Sequence, residues 1–144
     1  MDYLPALARL LERNPLVFAH LVCALGALVL GAVILARRKG TLSHRATGWA
    51  WVLLMGSTML TSAFIRDYRM PNLAGITPIH FFTALVAYQL PRAVLAARRG
   101  DIERHRKEMR GLYTGGCIVA GLFTLLPGRF LGRQFWAAVG PLFG

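Results

Sequence analysis

From Pro15 to Ala36 the chain carries no Asp, Glu, Lys or Arg, and His20 is its only ionisable side chain apart from Cys23. Three further apolar runs of similar length follow. Residues 46–65 are equally clean, residues 77–97 are interrupted late by Pro91 and Arg92, and residues 109–126 carry one arginine at their start. Each is close to the ~20 residues that a helix needs to cross a hydrocarbon core of about 30 Å. Lipid offers the backbone no hydrogen bonds, so such runs must be helices. The expectation is an all-α integral membrane four-helix bundle.

Composition agrees. The chain is 56% hydrophobic and only 16% charged, and its mean hydropathy is +0.49. A water-soluble domain of this size would have to expose apolar patches large enough to aggregate. The net charge of +11 sits in short runs between the apolar stretches, without a nucleic-acid-binding motif. Nucleic acid is therefore excluded as a partner, and anionic lipid headgroups of the bilayer are expected. Cys23 and Cys117 lie inside apolar runs with no CxxC spacing, which reads as reduced core residues rather than a disulfide or a zinc site. The N-terminus lacks the pattern of a cleaved signal peptide.

The boundaries carry capping chemistry. Asn14-Pro15 and Thr77-Pro78 place a capping side chain before a proline at the first helical position. Gly40 and Gly100 follow basic residues and end the same two helices. Ser43 and Asp101 are candidate caps for the second and fourth. The first connection holds Arg37, Arg38, Lys39 and Arg45, and the third holds Arg98, Arg99, Arg104, Arg106, Lys107 and Arg110. The N-terminus, second connection and C-terminus hold two basic residues each. By the positive-inside rule, the two basic connections face the cytoplasm and both termini face the periplasm of a bacterial inner membrane. Residues 4–13 alternate leucines with charges as a short interfacial helix would. The tail, residues 128–144, mixes arginines with Phe130, Phe135 and Trp136 and reads as a second interfacial piece.

The chain repeats. Arg37-Arg38-Lys39-Gly40 leads to His44-Arg45, and Arg98-Arg99-Gly100-Asp101 leads to His105-Arg106. Upstream, His20 precedes His44 by 24 residues and His80 precedes His105 by 25. All four histidines thus occupy corresponding positions in two tandem hairpins, about 15–65 and 77–127, within a single transmembrane domain spanning 1–144. Parallel repeats pack about an axis along the membrane normal, which would put His20 with His80 near the outer face and His44 with His105 near the inner one.

Histidine inside a membrane helix is costly and faces a partner or a polar cavity, and neutral imidazole is a ligand of haem iron. Two such pairs would hold haem b, with Arg45, Arg92 and Arg106 meeting its propionates. The plainer readings stand beside this one. His44 and His105 sit in first helical turns where they would face lipid phosphates, His20 and His80 would make structural hydrogen bonds, and Arg92 would snorkel to the cytoplasmic face. Because they lie deeper, His20 and His80 rank as the better ligand candidates. Small residues at Ala27-x-x-x-Gly31, Gly111-x-x-x-Gly115 and Cys117-x-x-x-Gly121 form candidate packing seams. All six acidic residues read as loop or terminal, and no catalytic constellation is visible.

The His-Arg-x-x-Gly of residues 44–48 and the run Gly-Leu-Phe-Thr-Leu-Leu-Pro-Gly-Arg of residues 121–129 resemble a bacterial family of predicted membrane proteins, domain-of-unknown-function family 2306. The resemblance covers residues 20–129 and implies a multi-helix membrane protein with no stated activity. A more distant, architectural similarity is to the transmembrane two-haem cytochromes b, which draw one haem-ligating histidine from each of four core helices. It implies electron transfer to or from a quinone or another membrane redox partner, with His20 paired to His80 and His44 to His105. The rival expectation is a non-enzymatic accessory or assembly subunit of a larger membrane complex or homodimer. A small-molecule transporter ranks third.

Overall fold

The computed structural model describes residues 3–65, 78–126 and 129–139, and every regular element among them is helical. α1 spans Tyr3–Arg13, α2 Pro15–Ala36, α3 Leu42–Phe64 and α4 Pro78–Arg98. The fourth long run starts as α5, Ile102–Leu112, widens into a π-helical stretch, Tyr113–Val119, and closes as α6, Ala120–Thr124. A last helix, α7, covers Phe130–Val139. α2 packs along α3 and α4 along α5, while α3 packs on α4 and the π stretch touches both α2 and α4.

Local chemistry explains most of the boundaries. Pro15 opens α2, where its missing N–H costs nothing. The Asn14 side chain, expected as a cap, makes no capping hydrogen bond. At α3 the cap is Thr41 rather than Ser43: its Oγ1 accepts the His44 backbone N–H at 3.0 Å, so the helix starts one turn earlier than the apolar run. Asp101 caps α5 as expected, accepting from the Arg104 N–H at 3.0 Å. Gly40 and Gly100 take φ of 83° and 77°, the left-handed geometry that ends a helix and that β-carbons resist. The Thr77 cap and the second connection, with Arg66 and Arg69, lie outside the described residues. α4 runs through Pro91 without stopping.

Pro15–Ala36 alone among the described helices passes the test of length and sustained hydropathy for crossing a membrane. α3 is long enough but is diluted by Thr47, Ser57, Thr58, Thr61 and Ser62, and the fourth run is broken into three elements. Few residues of α2 are buried inside the protein. Val22, Leu25 and Val29 are 52%, 51% and 64% exposed. Apolar side chains this open mark a face that meets another apolar phase or a partner.

The core consists of Ala27, Trp51, Met55, Val86, Leu90, Ala93, Leu112 and Cys117. Trp51 Nε1 donates to the Ala27 carbonyl at 2.8 Å, and the Tyr113 hydroxyl donates to the Leu28 carbonyl at 3.2 Å. Both rings press on Gly31. A β-carbon there would lie 2.6 Å from the Tyr113 ring and 2.7 Å from Trp51 Nε1. The Ala27–Gly31 seam therefore seats two aromatic rings from other helices. Gly111 and Gly115 face Gln89 and Leu85 of α4, a true packing seam, whereas a β-carbon on Gly121 would meet nothing. The Cys117-x-x-x-Gly121 seam is thus corrected. Cys117 itself is a free, buried thiol whose Sγ donates to Met55 Sδ at 3.5 Å.

Two acidic residues are not where the sequence places them. Glu103 and Glu108 lie inside α5, and the largely buried carboxylate of Glu108 pairs with Arg92 Nε at 3.2 Å and Arg104 Nε at 3.9 Å.

Candidate functional site

The helix starts set by Thr41 and Asp101 place His44 and His105 in the first turns of α3 and α5. There both side chains line one cavity of about 920 Å³ between the two hairpins. That volume lies in the range of cofactor and small-molecule sites. Its apolar wall includes Ile34, Val52, Val94 and Met109, with Trp51 and Tyr113 closing the side nearest Gly31. Arg45 and Arg106, the residues following each histidine, line it too, as do Lys39, Arg98 and Arg110. Among the described residues no Asp or Glu lines it.

The two imidazoles are prepared differently. His105 Nδ1 lies 2.9 Å from the Ala93 carbonyl. A carbonyl only accepts, so Nδ1 carries the proton, and in the neutral ring the free lone pair is on Nε2, the tautomer a metal-binding histidine needs. His44 Nδ1 is enclosed with no hydrogen-bond partner. Burial first, then the neighbouring His105 and Lys39, hold the His44 pKa below the usual histidine value. The charged form of His44 is thus disfavoured, and a neutral ring is the form able to bind a metal.

The remaining sequence candidates lie elsewhere. His20 Nδ1 faces α3, 3.1 Å from the Thr58 carbonyl and 3.0 Å from Thr61 Oγ1. The Thr58 carbonyl can only accept and the Thr61 hydroxyl proton is directed to the Ser57 carbonyl, so His20 Nδ1 is the donor towards α3. His80 sits half-buried in the first turn of α4. Arg92 does not line the cavity: beyond Glu108 it donates to the Tyr88 hydroxyl at 2.7 Å and stacks over that ring. Sequence ranking favours the outer histidines, yet the cavity is gathered around the inner pair. It also overlooks Trp51 and Tyr113. Their signal was present, because they follow His44 and His105 by two helical turns and so share a face with them.

The lining has the residue types that could hold a haem: imidazoles on facing hairpins for iron, guanidinium groups for propionates, and apolar and aromatic walls for a macrocycle. Among the described residues no cluster of three or more His, Cys, Asp or Glu side chains forms, so a bare metal ion has a poorer site.

A family model described as predicted membrane protein (DUF2306) matches residues 17–138. The chain belongs to this family. No curated protein and no solved structure matches it, so the likeness to two-haem cytochromes b rests on histidine placement alone. Family membership accounts for the exposed apolar face of α2: this is a membrane protein.

Proposed function

We propose that this DUF2306 member is a four-span protein of the bacterial cytoplasmic membrane that binds one b-type haem between His44 and His105 and passes electrons. Under this reading the apolar runs 15–36, 46–65, 77–97 and 109–126 cross the bilayer, with the two basic connections, His44 and His105 on the cytoplasmic side. The observation that carries the proposal is the meeting of His44 and His105, equivalent residues of the two repeats, on one cavity with Arg45 and Arg106 beside them.

Bound haem would supply one-electron chemistry. The chain's own contribution is separate. Ala93 holds the His105 ring in the tautomer that leaves Nε2 available. Arg45 and Arg106 are placed to take carboxylates, and Trp51 and Tyr113, anchored on α2 carbonyls, keep the inner wall rigid. The cationic lining favours the more negative, reduced state of a redox group and attracts an anionic or electron-rich partner. A quinone or another membrane redox protein is the partner class.

The test is an absorption spectrum of detergent-purified protein from haem-replete cells, oxidised and then reduced with dithionite. A Soret band and a reduced α-band are expected. His44→Ala and His105→Ala should lose them while His20→Ala keeps them, with helix content checked by circular dichroism. Absence of both bands in the parent chain would remove the proposal. Retention in the His44 and His105 variants would move the site elsewhere.

A further inference from the structure

Five basic side chains, Lys39, Arg45, Arg98, Arg106 and Arg110, line the cavity, and among the described residues no carboxylate lines it with them. The ion pairs found among the described residues go to Glu108 from Arg92 and Arg104, two side chains outside this cavity. Lys39 is held by the Leu35 carbonyl at 2.6 Å, which leaves its charge uncompensated. Like charges gathered around a cleft with low-dielectric walls repel one another and focus a positive potential inside it. A haem's two propionates would cancel only two of the five.

We propose that this cationic wall holds the phosphate headgroup of an acidic phospholipid, with an acyl chain against Ile34, Val52, Val94 and Met109. A free phosphate would satisfy the guanidinium groups and leave the apolar wall wetted. A lipid matches both halves of the lining. Trp49, which also lines the cavity and is 57% exposed, has the place and character of an interfacial aromatic anchor beside such a headgroup. Arginine presents a fork of donors that fits phosphate oxygens, and each basic residue near an anionic surface contributes about 1 kcal/mol. The inference rests on the membrane placement proposed above and not on the haem, with which a lipid would share Arg106 and the apolar wall.

The experiment uses the full chain, delipidated in mild detergent and returned to nanodiscs. One set contains phosphatidylcholine with a tenth of phosphatidylglycerol, and the other contains phosphatidylcholine alone with millimolar inorganic phosphate. Lipid retained after release is read by native mass spectrometry. The absorption spectrum of each preparation is recorded, so loss of haem and loss of lipid are read apart. One phosphatidylglycerol per chain, kept in preference to phosphatidylcholine and not displaced by phosphate, is expected. The double variant Arg98→Gln, Arg106→Gln should weaken retention roughly thirtyfold, which is two residues at about 1 kcal/mol each. Arg99→Gln, outside the cavity, should leave retention unchanged. Equal retention of the two lipids overturns the proposal, as does a folded double variant that holds phosphatidylglycerol like the parent. Displacement by phosphate overturns the lipid source. Should the double variant not fold, the preference of the parent chain decides alone.

Discussion

Gly31→Ala adds one carbon at the point where three helical segments meet. That carbon would lie 2.6 Å from Tyr113 Cδ2 and Cε2 and 2.7 Å from Trp51 Nε1, distances that force movement. Neither ring can retreat freely, since Trp51 is tied to Ala27 and Tyr113 to Leu28 through their polar ends. Overpacking a tight core costs about 1–3 kcal/mol. Interhelical hydrogen bonds in membrane proteins contribute about 0.6 kcal/mol each on average. Losing or stretching both gives a total of roughly 2–4 kcal/mol. Gly56→Ala supplies the control: it also lies in a helix interior, but a β-carbon there meets nothing. It should be neutral or gain up to about 1 kcal/mol from helix propensity. The assay is equilibrium unfolding in mixed micelles with increasing dodecyl sulfate, followed by tryptophan fluorescence and circular dichroism. If Gly31→Ala falls within about 0.5 kcal/mol of the parent, below the overpacking range, the aromatic lock on α2 is not what holds these helices together.

Other outcomes follow from single side chains. Tyr113→Phe, losing only the bond to Leu28, should cost about 0.6 kcal/mol in the same assay, with a larger loss refuting so modest a role. Glu108→Gln should destabilise by about 1–2 kcal/mol, between exposed and buried ion pairs, while leaving any absorption bands unmoved. In the haem-free chain His44 has its folded pKa depressed, so its contribution to stability is present above the ordinary histidine value and is lost as pH falls through the lower, folded one. Unfolding midpoints should therefore drop on acidification below about pH 6.5, and less so in His44→Gln. Lys39→Met removes one of the charges that depress it and should raise the His44 titration midpoint in labelled-histidine NMR; an unchanged midpoint would remove Lys39 as a cause.

Much of the helical plan was legible because apolar length, proline and glycine are local signals. Pro15 and Ala36 bound α2 as the charge-free run does, and Gly40 and Gly100 stop helices by a backbone geometry written into their own residue type. Caps were less legible. Thr41 and Ser43 are both competent, and which one closes α3 depends on where the chain leaves Gly40. Glu108 misled because it stands beside the apolar run, although its partners, four residues back and across on α4, draw it into α5. The candidate site was half visible. Matching His-Arg pairs in two repeats identified His44, Arg45, His105 and Arg106, but not that the cavity would form around them rather than around His20 and His80. That choice depends on three-dimensional features such as the Ala93 carbonyl beneath His105 and the Thr58 carbonyl beside His20.

The widened stretch at Tyr113–Val119 has a consequence for how tolerant this chain is to change in length. A π turn holds more residues than an α turn, so the segment carries an extra residue. Deleting one residue between Gly115 and Val119 would let the backbone close as ordinary α-helix, and the shorter α stretch would turn through about the same angle as the longer π one. Phe123 would stay beside Phe82, now 6.2 Å between ring centres, and the chain would enter its final helix from the same side. The same deletion in the unbroken α3 would turn everything after it by about 100°. One residue can be lost here at a cost that the rest of the bundle would not bear.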